Sequence, residues 1–162
     1  MKKYKWLIIL LNLILLLVYF NWSVFKKEKL LQNGQLVLLK LAPVDPRSLM
    51  QGDYMTLRYA ISENLNIDKM PKRGYCIVKL DQKGIAQRVR FQKEPIPLKP
   101  GEHLIQYNAP DSWNINIGAE SYFFEEGQAE KYEKAEYGGI KIDQNGNSIL
   151  IGLYNKNLKP IN

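Results

Sequence analysis

A mainly β domain, an antiparallel barrel or sandwich with one short inserted helix, preceded by a single N-terminal transmembrane helix, is the fold this sequence predicts. Three observations predict it. Residues Trp6–Val24 carry no charge and are mainly Leu and Ile, bounded by Trp6 and Trp22 with Tyr19 near the second end. After that run come short apolar or alternating segments, separated by Gly, Pro, Asn and Asp in turn-forming combinations. Asn145-Gly146, between two such segments, is the strongest short hairpin signal in the chain.

The chain has 162 residues, which leaves room for one modest domain and an appendage. Residues 1–29 form the anchor with its basic flanks, and residues 30–162 form the β-rich domain. The net charge of +7 is unevenly placed: residues 1–29 hold six Lys against Glu28, whereas residues 30–162 hold 17 basic and 15 acidic residues. Basic collars on either side of an apolar run mark a membrane segment, so the membrane is the expected partner and nucleic acid is not.

As a helix, the apolar run sets Trp6 and Trp22 about 25 Å apart, close to the hydrocarbon thickness. A cleavable signal peptide would need a small-x-small site, and Asn21-Trp22-Ser23-Val24-Phe25-Lys26-Lys27 offers none. An uncleaved signal-anchor is expected. Three Lys on each side balance one another, so charge does not set the orientation. The short N-terminal tail places the N-terminus in the cytoplasm and the domain in the periplasm or outside the cell. Asn12, a polar residue within the span, is a candidate for bonding to a partner helix.

In the domain, Gly34–Val44 opens a strand buried on both faces, and Asp45-Pro46-Arg47-Ser48 reads as a type I turn. Gln51–Tyr59 is a turn glycine and an acid leading into an alternating strand. Met55, Leu57, Tyr59 and Ile61 fall on its core face, with Tyr54, Thr56, Arg58 and Ala60 opposite. Gly74–Leu80 and Ile85–Phe91 form a hairpin through Asp81-Gln82-Lys83-Gly84, with Gly84 left-handed. Pro95, Pro97 and Pro100 stiffen the next connection. His103–Tyr107 and Trp113–Ile117 read as strands, and Gln128–Glu136 as a helix with a Glu130–Lys134 pair, stopped by Gly138 and Gly139. Ile140–Asp143 and Ser148–Tyr154 make the closing hairpin.

Few residues carry chemistry. Cys76 is the sole cysteine and sits in a strand, which suits a small buried side chain. His103 is the sole histidine and follows a Pro-Gly-Glu turn. Glu120, Glu125 and Glu126 lack the alternating spacing of a calcium loop, so no metal or cofactor is expected. Arg88 and Arg90 share one strand face, which as a solvated face of a half-exposed sheet needs no ligand, and with Lys93 they form a candidate anion site. Residues 30–110 lean basic and 111–162 acidic, a dipole able to steer a partner.

Gly52-Asp53-Tyr54-x-x-Leu57-x-Tyr59, with Asp45-Pro46-Arg47, Gly118-Ala119-Glu120-Ser121-Tyr122-Phe123 and Gly152-Leu153-Tyr154, resembles the bacterial GDYXXLXY protein family across nearly the whole chain. The resemblance implies membrane anchoring and names no activity. It makes Gly52, Asp53, Tyr54, Leu57, Tyr59, Glu120, Ser121 and Tyr122 the candidate motif residues.

The order of membrane helix, strand, turn, Gly-Asp-led strand and hairpin is also similar to type I signal peptidases and the self-cleaving SOS repressors. Laid on this chain, their nucleophile position falls on Val44, followed by Asp45, and their base position on Gln87. Neither can perform Ser-Lys chemistry, which needs a hydroxyl and a desolvated amine. The expectation is therefore a non-enzymatic accessory or binding domain of the cell envelope, holding a membrane or envelope protein along a sheet edge. The alternative is a membrane-bound hydrolase with a displaced carboxylate site or a displaced Ser-Lys pair, such as Ser48 with Lys79 or Lys83.

Overall fold

The computed structural model describes residues 4–42, 54–63, 65, 70–110 and 114–161. Helix α1 (Lys5–Asn33) contains the whole apolar run and continues beyond it. It is long and apolar enough to cross a membrane, and none of its most apolar stretch is buried against the domain. The continuation is Phe25-Lys26-Lys27-Glu28-Lys29-Leu30-Leu31-Gln32-Asn33, mostly strong helix formers, so nothing ends the helix where the apolar run stops.

What ends it is the domain. Leu30 is buried, and Gly34 turns the chain into β1 with an extended backbone and an N–H bond to the Leu30 carbonyl. A Cβ on Gly34 would lie 2.4 Å from that carbonyl oxygen, so the junction requires glycine. Lys141 then donates from its ammonium to the Leu31 and Gln32 carbonyls, capping the last turn with positive charge.

Eight strands follow: β1 (Gln35–Lys40), β2 (Tyr54–Thr56), β3 (Arg73–Leu80), β4 (Ala86–Gln92), β5 (Glu102–Asn108), β6 (Ser121–Phe123), β7 (Tyr137–Ile142) and β8 (Ser148–Tyr154). They form three antiparallel sheets, in the orders β1-β7-β8, β2-β6 and β4-β3-β5. A bridge between Leu38 and Ile85 links the first sheet to the third. No closed barrel forms among the described residues. The sheets instead share one core, with Val37 and Leu39 from β1, Cys76 and Val78 from β3, Ile105 from β5, Ile140 from β7 and Leu153 from β8 all fully buried. The layered alternative to a barrel is the arrangement that fits.

Both predicted hairpins are present. Gly84 has φ +79°, and Asp81 accepts the Lys83 and Ile85 N–H groups to hold the turn. In the β7–β8 loop Gly146 has φ +81°, and Asp143 accepts N–H groups of Asn145 and Asn147.

Four local expectations are corrected. The segment 114–117 makes only an isolated bridge, Asn108 to Asn116, and no strand. The late helix α2 is a single turn (Ala129–Tyr132), too short for the Glu130–Lys134 pair, and Lys131 bonds Gln128 instead. Gly138 and Gly139 do not stop a helix but lie buried within β7, because tyrosine rings occupy the space beside them. A Cβ on Gly138 would lie 2.8 Å from the Tyr59 ring, and one on Gly139 would lie 2.3 Å from the Tyr154 ring. Finally, the β3–β4 register slips at Val89, so Arg88 and Arg90 oppose the successive residues Val78 and Ile77 rather than sharing a regular face.

Candidate functional site

The two conspicuous motifs are partners. Strand β2 lies antiparallel to β6, with Met55 opposite Tyr122 and Thr56 opposite Ser121. Past the strand, the Leu57 N–H donates to the Glu120 carbonyl at 2.7 Å and the Tyr59 hydroxyl donates to the Ala119 carbonyl. Met55, Leu57, Tyr59 and Ile61 are all buried, as alternation predicts, while Thr56 and Arg58 are exposed. The alternating side chains therefore reach the core even though only three residues form regular strand and Ala60–Ser62 turns into a 3-10 helix.

Glu120 explains its own place in the second motif. Its carboxylate accepts the Ile117 and Gly118 N–H groups, closing a turn in which Gly118 has φ +81°. The Ser148 hydroxyl donates to the Ile117 carbonyl and ties this turn to β8. Tyr122 packs edge-on to Tyr132 at 5.1 Å between ring centroids. Burial pushes its phenol up to about 12, and the Tyr132 hydroxyl adds to the effect. Burial raises the Tyr59 phenol well above its ordinary value, with the Glu120 charge reinforcing it. Both phenols stay protonated at physiological pH. Gly52, Asp53, Val44, Asp45 and Ser48 lie outside the described residues, as does the side chain of Tyr54.

Two cavities flank this ribbon. One of about 290 Å³ lies between the end of β1, β2 and α2, lined by Leu41, Met55, Leu57, Arg58, Tyr132 and Glu136. A broader basin of about 690 Å³ brings Lys93 and Glu120 together with Arg73, Tyr75 and Asn116. The structure does not gather the three candidate anion-binding residues. Arg88 donates to the Ile61 and Glu63 carbonyls, and Arg90 makes a two-pronged pair with Glu102 at 2.7 and 2.9 Å. Arg90 also reaches the Pro97 carbonyl, so this pair pins the proline-rich connection to β4. The Arg90 hydrogen bonds, with the Lys99 N–H second, hold the Glu102 carboxyl down at about 2. Of the three, Lys93 is the one that faces a cavity.

The positions a Ser-Lys protease would use are occupied otherwise. Gln87 is exposed on β4, and Lys79 and Lys83 are exposed. No lysine among the described residues is buried, so none is the desolvated amine that such chemistry requires. Cys76 is fully buried in β3, and burial pushes its thiol up to about 12, against a smaller opposing pull from Arg88. His103 is half-buried near the start of β5. No group of three or more metal-ligating side chains occurs among the described residues.

Helix, sheets and interlocked motifs define a mainly β domain carried on a long apolar N-terminal helix. The chain belongs to the GDYXXLXY protein family, whose signature matches residues 16–153. Neither the curated proteins nor the solved structures include a match. A likeness to signal peptidases is not shown.

Proposed function

We propose that the chain is a single-pass, membrane-anchored, non-enzymatic binding domain that serves an envelope complex by holding a protein partner close to the bilayer. The observation carrying this reading is the rigid junction of α1 with the domain. Leu30, Gly34 and Lys141 fix the helix to β1 and β7 with no flexible linker, an arrangement that sets the height and orientation of a binding surface. The conspicuous polar groups support it too, since Glu120, Arg88, Arg90 and Glu102 are engaged in holding loops. The ribbon exposes Thr56, Arg58 and Ser121 beside the smaller cavity and is the surface offered to the partner. Residues 1–29 act as an uncleaved signal-anchor, and the domain lies on the periplasmic or outer side.

Photo-crosslinking amino acids placed at Thr56 and Arg58 of the full chain in cells test this. A discrete protein adduct is expected from those positions and not from Lys156. Uniform or absent adducts would refute the binding surface. Labelling by a serine-directed fluorophosphonate that disappears in Ser48→Ala would replace it with a hydrolase. An inactive C-terminal phosphatase fusion beside a fluorescent cytoplasmic reporter would reverse the orientation.

A further inference from the structure

A cavity of about 1050 Å³, larger than either of the two beside the ribbon, is neither at the motifs nor among the arginines. It lies between the last turns of α1 and the edge of the domain. Its helical wall carries Ser23, Lys26, Lys27 and Leu30, positions that recur every three or four residues and so occupy one face of α1. Lys29 borders the same space. The opposite wall is polar, with His103 from β5 and Asn145, Asn147 and Ser148 from the β7–β8 loop and the start of β8.

Helix geometry fixes the depth of this cleft. If Trp22 marks the interface, Lys26 and Lys27 stand about 6 to 8 Å farther along the axis, within the headgroup layer, and Leu30 docks on the domain about 12 Å along. The Lys26 ammonium lies 4.2 Å over the Trp22 ring, directed back toward the membrane plane. The cleft thus opens at the height of lipid phosphates.

Its charge is net positive, with three lysines against one acid. Among the described residues the ion pair is Arg90–Glu102, and none of the three lysines has an acidic partner. Glu28 is not part of the lining and bonds Gln32. Asp143 is the acid in the lining, and the Asn145 N–H and two N–H groups of Asn147 hold its carboxylate in the hairpin loop. Three cations against one carboxylate, Asp143, leave the lining net positive, and with its neutral hydrogen-bonding side chains this suits a phosphate-ester anion.

We propose that this cleft binds the phosphate headgroup of an anionic phospholipid, with Lys26, Lys27 and Lys29 neutralising the charge while the β7–β8 loop and His103 contact the polar remainder. The inference rests on the membrane-anchored reading, and the experiment separates the two. The full chain is first tested for carbonate-resistant membrane association; release by carbonate would overturn both readings. The detergent-solubilised full chain is then titrated with fluorescent phosphatidylglycerol and followed by anisotropy.

Phosphatidylglycerol is expected to compete and phosphatidylcholine is not. Lys26→Gln/Lys27→Gln/Lys29→Gln should weaken binding on the order of a hundredfold, since each lysine near a headgroup contributes about fivefold. Ser23→Trp, which fills the cleft and keeps the lysines, should weaken it about tenfold or more, as expected when a well-fitted pocket is blocked. Retained binding in Ser23→Trp with loss in the triple variant would show diffuse attraction to a basic helix and overturn the cleft. Equal competition by phosphatidylcholine, or displacement by millimolar inorganic phosphate, would overturn the anionic-lipid assignment. Circular dichroism of each variant guards against loss of fold, and a folded triple variant that binds normally would also refute the proposal.

Discussion

Gly138→Ala is a test of how the first motif is held. The added Cβ would stand 2.8 Å from the Tyr59 ring carbon and 3.1 Å from its hydroxyl oxygen, against about 3.5 Å or more for a comfortable carbon contact. Tyr59 cannot swing away, since it is 2 % exposed and its hydroxyl is tied to the Ala119 carbonyl. Overpacking of this kind costs about 1–3 kcal/mol, and straining a buried hydrogen bond adds about 1 kcal/mol. The alanine recovers about 0.4–1 kcal/mol through the unfolded chain. The net loss is about 2 kcal/mol, or roughly 4–8 °C in Tm for a chain of this size. Thermal melts of the detergent-solubilised full chain measure it. In a Tyr59→Leu background the cost should fall below about 1 kcal/mol, because residues in contact couple. Gly152→Ala is the control: nothing lies within 4 Å of its Cβ, so the melt should stay level or rise. Equal cost of Gly138→Ala with and without the tyrosine ring would refute the reasoning.

Two further outcomes are expected. Glu102 is held at about 2, so its contribution is fully present above the ordinary glutamate value of about 4.3 and is lost as pH falls from there toward 2. Glu102→Gln should lower Tm at neutral pH and flatten the acid limb of a Tm-against-pH curve; an unchanged limb would contradict the pairing. Cys76, buried and with its thiol pushed up to about 12, should resist a thiol-reactive dye until the chain is unfolded, and rapid labelling of the native chain would contradict its burial.

Local chemistry made part of this fold readable. The hairpin turns at Gly84 and Gly146 need left-handed residues, and the sequence places glycine at both. The core face of Met55, Leu57, Tyr59 and Ile61 follows from alternation alone. What escaped was set by distant residues. Gly138 and Gly139 look like a helix stop because the rings of Tyr59 and Tyr154 that require them come from other elements. The slip at Val89 carries no local mark, so Arg88 and Arg90 looked like a paired face until their separate partners were placed. The lysines at 26, 27 and 29 read from the sequence as a membrane collar, and only the domain's return beside α1 makes them one wall of a cleft.

The unbroken course of α1 makes the domain a passenger of helical phase. Each residue of an α-helix advances the chain about 1.5 Å and turns it about 100°. One residue added between the apolar run and Leu30 would therefore raise the domain slightly but rotate it by more than a quarter turn. Any tilt or twist of the helix is transmitted in the same way, through Leu30 and the Lys141 cap. The spacer is thus a fixed-angle shaft, and its length in residues sets which side of the domain faces which way about the helix axis.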